Sequence, residues 1–293
     1  MASRSPTPLP PEPDADQLKQ AFALFSATSD KLAETYAELQ GQVARLSTEL
    51  AAANGELARR ERLSALGEMA AKLAHQLRTP LAAALLYVGQ LAGKSLDDQE
   101  RQRFADKAMG RLRHLERLIA DMLAFVKGAQ GVVTRFSVVE LIGEWQHTLD
   151  AHALPRGVVL EVEDESDGVS LEADRQAVLG ALINLGENAL QASPAGSVVR
   201  LHAFVSGGPF VALRVEDQGG GIDAGARERL FDPFFTTRAE GSGLGLAIVK
   251  QTADTFGGWV EVDSEPGRGS VFTLFLPTAG VQPGRAEGSE HKT

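Results

Sequence analysis

From Leu18 to Leu57 the residues Leu18, Phe22, Phe25, Ser29, Leu32, Tyr36, Leu39, Val43, Leu46, Leu50, Ala53 and Leu57 recur at alternating spacings of three and four. No proline interrupts them, so the period is that of one long helix carrying a single narrow apolar stripe. A stripe of this kind has to be covered by another helix. The spacing predicts a coiled coil over residues 17–60 and therefore a homodimer. Residues 1–16, rich in proline and charge, have almost nothing to bury and are expected to be a disordered tail.

Leu63, Leu66, Ala70, Leu73 and Leu77 continue the stripe one residue out of phase, which predicts a continuous helix with a local change of winding, able to pass rotation along its length. This helix should run to about Gly93. A polar turn, Lys94 to Gln99, then leads to a second helix seamed by Phe104, Ala108, Leu112, Leu115, Ile119, Met122 and Val126. The prediction for residues 61–129 is a helical hairpin that pairs with a second copy as a four-helix bundle. With leucines on seam positions a and d, His75 falls at f, the outermost position, where a solvated imidazole keeps a free ring nitrogen for nucleophilic chemistry. Thr79 lies one turn further on the same face. Pro80 removes a backbone donor and is expected to weaken the helix just beyond the histidine. His114, on the second helix, is read as a structural or surface residue.

Past Lys127 to Thr134, a glycine-containing linker, heptads give way to alternating strands and helices. A helix is expected from about Ser137, a strand at 158–162, a helix at 173–193 and strands at 198–205 and 210–216. After a glycine-rich stretch follow a helix at 244–256 and strands at 259–264 and 270–277. The predicted domain, 130–280, is an α+β sandwich with helices on one face of a mixed sheet, followed by a loose polar tail at 281–293. The formal net charge of -10 and the absence of a Lys/Arg block argue against a nucleic-acid surface. With no cysteine in the chain, disulfides and thiol chemistry are excluded. No apolar run reaches the length of a membrane span, and the N-terminus lacks the apolar core of a signal peptide, so a cytoplasmic protein is expected.

Several stretches of this domain suit a nucleotide. Asn184 and Asn188 share a helix face, with Glu187 beside them, and their amide oxygens suit Mg²⁺ without repelling a triphosphate. Asp217 closes a strand before Gln218-Gly219-Gly220-Gly221, where a carboxylate could read an adenine amino group. Gly241-Ser242-Gly243-Leu244-Gly245 opens a helix whose free N–H groups suit phosphate oxygens. Between them, Phe231-Asp232-Pro233-Phe234-Phe235-Thr236-Thr237-Arg238 has the texture of a nucleotide lid, with Arg238 available to a phosphate.

The run His75-Gln76-Leu77-Arg78-Thr79-Pro80-Leu81 resembles the phospho-acceptor box of two-component sensor histidine kinases, and the four later segments, in this order, resemble the N, G1, F and G2 boxes of the same family. The resemblance covers about Arg60 to Pro277. It implies a helical dimerisation hairpin joined to an ATP-binding sandwich of the histidine kinase, gyrase and chaperone type. It further implies His75 as phospho-acceptor, Asn188 as Mg²⁺ ligand with Asn184 beside it, and Asp217 at the adenine. Gly219, Gly221, Gly241, Gly243, Leu244 and Gly245 would then shape the ATP pocket, and a response-regulator receiver domain would be the partner. Thr79 resembles the position that bifunctional relatives use to orient water against the partner's phospho-aspartate. Gln76 departs from the acid usual in the family; the box as a whole further resembles cytoplasmic kinases that regulate flagellar genes, which share that glutamine. Two other readings stay open on the residues alone. One is an ATP-driven conformational switch, opposed by Asn184, an amide where such proteins carry a water-activating glutamate. The other is a nucleotide-binding scaffold without chemistry, favoured by Gln76, which cannot accept a proton.

Overall fold

The computed structural model describes residues 15–68, 70–92, 96–129, 131–238 and 241–280. The expected tails therefore lie outside the described residues, except that Ala15 and Asp16 are the first residues of a helix rather than the end of a tail. Two compact units emerge, one reaching to Arg60 and one running from Glu61. The long helix α1, Ala15–Glu68, makes up the described part of the first and ends within the second. Its stripe lies open in the single chain: Phe22 is 73 % exposed, Leu32 70 % and Leu50 62 %.

In the second unit, α2 (Ala70–Leu91) and α3 (Asp98–Lys127) form the hairpin. The start of α3 is fixed by a capping box, in which Glu100 N–H donates to Asp97 Oδ1 at 2.7 Å and Asp97 N–H to Glu100 Oε2 at 3.3 Å. Asp98 and Gln99 consequently belong to the helix and not to the turn. At the other end Gly128, at φ 63°, returns its N–H to Ala124 O at 2.8 Å. Pro80 lies inside α2 and is buried. It cannot donate to the carbonyl one turn back, yet the helix continues for eleven residues beyond it to Leu91, so the expected weakening does not end the helix. The seam of α3 is also broader than the spacing suggested. Leu118 and Phe125 are buried, whereas Leu112 and Ile119 are 43 % and 45 % exposed.

The rest of the unit is a two-layer sandwich. Strand β1 (Val133–Ser137) leads into α4 (Val138–Ala153) and a short 3-10 turn, Leu154–Arg156. Then come β2 (Val159–Glu165), β3 (Ser170–Asp174), α5 (Arg175–Ala192), β4 (Val198–Val205) and β5 (Phe210–Asp217). The one-turn α6 (Ala224–Arg227), α7 (Gly245–Thr255), β6 (Trp259–Ser264) and β7 (Ser270–Pro277) complete it. The main sheet has the order β2-β4-β5-β7-β6, with β2 and β4 parallel and every other pair antiparallel. Alternate residues such as Val199, Leu201, Val211, Leu213, Leu274 and Leu276 turn inward, where α4, α5 and α7 cover them.

Strands β1 and β3 were not expected. They pair with each other as a separate antiparallel ribbon, Val133 opposite Asp174, so neither carries a signal within its own five residues. Asp174 accepts three hydrogen bonds there. Its Oδ1 accepts from Gln176 N–H and Ala177 N–H, capping α5, while Oδ2 accepts from Gly131 N–H at 2.8 Å. The N-cap places the start of α5 at Arg175 rather than at Ala173.

Helices α4 and α5 approach closely where Gly186 faces Trp145 and Leu149, and Trp145 Nε1 donates to the carbonyl of Leu182 at 2.9 Å. A Cβ at Gly186 would press into both side chains, whereas one at Gly180 of the same helix meets nothing within 4 Å. Gly186→Val should therefore destabilise the fold by about 2–3 kcal/mol, and Gly180→Ala should stabilise it by about 0.5–1 kcal/mol. Urea denaturation of the two variants checks this; effects of the same sign would contradict the packing described.

Candidate active site

A cavity of about 690 Å³ lies between α5, the end of β5, the glycine-rich stretch before α7, and α3. Of the residues singled out in the sequence, Asn184, Asn188, Asp217, Gly221, Arg238, Gly241, Gly243 and Gly245 line it. Glycine is demanded at particular points. A Cβ on Gly219 would fall 2.7 Å from that of Ala192 and 2.8 Å from Asp217 Oδ1, which accepts Gly219 N–H at 2.8 Å. Gly243, at φ 68°, lies so near Phe234 that a Cβ would fall 2.6 Å from its carbonyl carbon. Leu244 does not face the cavity. It is fully buried and forms an apolar cluster with Leu73, Phe125, Phe234, Ala247 and Ile248.

Asp217 is 5 % exposed. Burial pushes its carboxyl above the usual carboxylate range, against the hydrogen bonds from Gly219 and Ser270 and the charge of Arg238. Burial also lowers Arg238, which Asp217 partly offsets. Arg238 is not held ready in open space. Its guanidinium donates to Gln191 Oε1 and to the backbone oxygen of Asn188, both at 3.1 Å, and reaches Asn188 Oδ1 at 3.4 Å. Asn184 Nδ2 approaches Gly245 O at 3.5 Å, tying α5 to the start of α7. Glu187, beside Asn188, pairs with His152 Nδ1 and stands 4.0 Å from Arg117.

His75 and Thr79 are not part of the cavity wall. Both are exposed on α2, where Thr79 Oγ1 donates to the backbone oxygen of His75 at 3.0 Å. Gln76 Oε1, by contrast, is buried without a hydrogen-bond partner. Leu73, two residues before His75, belongs to the apolar cluster and so ties the His75 helix to the start of α7. Phe234 completes that cluster at φ 64°, a left-handed conformation rare for a bulky residue, with its ring edge-on to Phe125 at 6.2 Å.

The α3 wall went unnoticed in the sequence. His114, Arg117, Leu118 and Asp121 all line the cavity. Asp121 Oδ2 accepts from Ser242 Oγ at 2.7 Å, and burial raises its carboxyl while Ser242 and Arg117 oppose the shift. A signal was present: His114, Leu118, Asp121 and Phe125 follow one another at spacings of four and three, a second stripe beside the apolar seam.

Comparison with known proteins finds two families along the chain. Residues 65–131 match the His Kinase A (phospho-acceptor) domain, and residues 173–280 the histidine kinase-, DNA gyrase B- and HSP90-like ATPase domain. The chain is similar to the sensor protein kinase FleS of Pseudomonas aeruginosa, 39% identical over 78% of this chain and 56% of that protein. It is also similar to the signal transduction histidine-protein kinase AtoS of Escherichia coli, 30% identical over 86% of this chain and 42% of that protein. The chain thus spans about half the length of these relatives. Among solved structures, the histidine kinase ThkA in complex with the response regulator TrrA superposes with a TM-score of 0.65 at 28% identity, covering 78% of this chain and 66% of that one. Full-length ShkA in complex with AMPPNP gives 0.54 at 29% identity, covering 75% and 48%.

The buried carboxylate carries a testable consequence. A carboxyl whose folded pKa lies above its unfolded value makes folding less favourable at every pH above the raised value, and the penalty fades as pH falls through it towards the unfolded pKa. Asp217→Asn should therefore raise the melting temperature by roughly a few degrees at about pH 8, with an advantage that shrinks on acidification. Calorimetry across pH checks this; an advantage that grows towards low pH would contradict it.

Proposed function

We infer that this chain, which belongs to the histidine kinases through its phospho-acceptor and ATPase domains, phosphorylates its own His75 from ATP and passes the phosphoryl group to an aspartate of a response-regulator receiver domain. The observation that carries the reading is the convergence of Asn184, Asn188, Asp217, Arg238 and the glycine cradle on one cavity, in a unit whose neighbouring helix exposes His75. The ShkA complex with AMPPNP supports the nucleotide and the ThkA complex supports the partner. A role in flagellar gene regulation is the narrowest form of the reading, supported by the box around His75 and by the likeness to FleS.

The residues present fit ATP with Mg²⁺. Asp217 sets a carboxylate in the cavity wall, which accepts from an adenine amino group and repels the carbonyl that guanine would present there. The first N–H groups of α7, reached through Gly241, Gly243 and Gly245, suit phosphate oxygens. Asn188 supplies an amide oxygen for the metal, now reached only at 3.4 Å by Arg238, and Glu187 stands beside it. Mg²⁺ supplies charge neutralisation on the phosphates. Arg238 then exchanges its contacts with Asn188 and Gln191 for a phosphate. Catalysis by this chain is mostly positioning, with a His75 ring nitrogen attacking the γ-phosphorus in line as the bond from that phosphorus to the bridging oxygen breaks and ADP leaves. Gln76 cannot take the imidazole proton, which slows the step without abolishing it.

We place the protein in the cytoplasm, where ATP is available; among the described residues no helix is long and apolar enough to cross a membrane. The open stripe of α1 and the half-exposed Leu112 and Ile119 support a homodimer. Sedimentation equilibrium at micromolar concentration should return twice the chain mass, and a monomer would contradict this.

The chemistry is tested with labelled ATP. His75→Ala should abolish an acid-labile, base-stable label while nucleotide binding persists, and Asn188→Ala should cut labelling by about a hundredfold or more with unchanged circular dichroism. Thr79→Ala should keep the label but slow decay of the phosphorylated regulator. A label surviving in His75→Ala would remove the assignment of the acceptor.

A further inference from the structure

The wall of the cavity formed by α3 presents a carboxylate to the place where phosphate is expected. Ser242 stands within the glycine cradle, and its hydroxyl donates to Asp121 Oδ2 at 2.7 Å. The same hydroxyl oxygen accepts the N–H of Leu244, the N-cap of α7, at 3.2 Å. The negative charge of Asp121 is thus relayed through one hydroxyl to a helix N-terminus whose free N–H groups and positive dipole end favour an anion. Asp121 is half-buried and its carboxyl is raised by desolvation, so the fold bears a cost to keep it there. Arg117, one turn earlier, sits 4.0 Å from Glu187 on the opposite wall.

We propose that Asp121 is a built-in stand-in for a nucleotide phosphate: with the hairpin packed against α7, its carboxylate holds the phosphate end of the cavity and keeps a nucleoside triphosphate out. The inference rests on the reading of this cavity as an ATP site. What holds Asp121 in place is apolar. Phe125, one turn beyond it, packs with Leu73, Phe234, Leu244, Ala247 and Ile248, and Met122 lies against the same cluster. Helix α3 cannot withdraw Asp121 without loosening that joint. Any input that moves α3 away from α7 therefore vacates the phosphate position in the same motion, and the hairpin gates nucleotide entry as well as carrying the acceptor histidine. The gate acts on phosphates alone, because the carboxylate meets the cradle at Ser242 and not the wall at Asp217.

Isothermal titration of the full chain with adenosine and with a non-hydrolysable ATP analogue, at fixed Mg²⁺ and ionic strength, tests this. Asp121→Asn keeps the shape and the ability to accept from Ser242 but removes the charge, and Asp121→Ala removes both. Both variants should bind the analogue about tenfold more tightly than the wild type, with adenosine affinity unchanged. Equal or weaker binding of the analogue by both variants overturns the proposal, and so does a parallel tightening for adenosine, which would report a general loosening of the hairpin. If neither ligand binds to the wild type or to either variant, the nucleotide reading of the cavity fails and takes this inference with it.

Discussion

A helix that opens into a cavity leaves its first N–H groups without partners, and most of the unusual geometry of this protein follows from managing the open end of α7. The chain reaches that end through Gly241 and Gly243, the second in a left-handed conformation and packed too closely on Phe234 to carry a side chain. Ser242 answers one of the orphan donors with its hydroxyl oxygen. Asn184 reaches across from α5 to the carbonyl of Gly245. Gly245 and Leu246, the first residues of α7, line the cavity, and the open first turn of a helix is a place where anions are favoured.

Holding that turn costs backbone strain, and the strain is placed at Phe234. A non-glycine residue at φ 64° is disfavoured by about 1–2 kcal/mol. Full burial of a phenylalanine side chain offsets about 1.5–3 kcal/mol, and Phe234 is fully buried against Phe125 of α3 and Leu73 of α2. The two terms are of similar size, so the conformation of the segment before α7 depends on the hairpin being packed against it. The hairpin is therefore a structural component of the site and not only a neighbour carrying His75.

The architecture was legible wherever a signal is local and periodic. The stripe of α1, the hairpin, strands β4, β5, β6 and β7 and the glycine-rich cradle all announce themselves within a few residues. What escaped was long-range. Strands β1 and β3 exist because Val133 meets Asp174, a pairing no window of sequence contains. Arg238 was legible as a cation near phosphates but not as a group presently held by Gln191 and Asn188, because that depends on how the segment folds back onto α5. The α3 wall is hidden in the sequence for another reason: the stripe of His114, Leu118, Asp121 and Phe125 runs beside a more regular apolar seam and has mixed polarity. Polar residues on such a stripe signal a helix that faces a cavity as well as a core.

The two helices of the hairpin stand differently toward the cavity. His75 is exposed on α2 and absent from the cavity wall, while Asp121 of the partner helix α3 is inside it. In this packing the hairpin turns α3, and not His75, to the cavity; under the proposed function, transfer to the His75 of the same chain calls for a different placement of the sandwich. The joint between the hairpin and the start of α7 is small, a handful of apolar side chains around Phe125 and Phe234 together with the contact between Ser242 and Asp121. Displacement of α2 and α3 at this joint would alter both the packing of Phe234 and the position of the Asp121 carboxylate beside Ser242. Gln76, next to His75 on α2, keeps its side-chain oxygen buried without a hydrogen-bond partner, so a shift of that helix would also change the solvation of the residue beside the proposed acceptor.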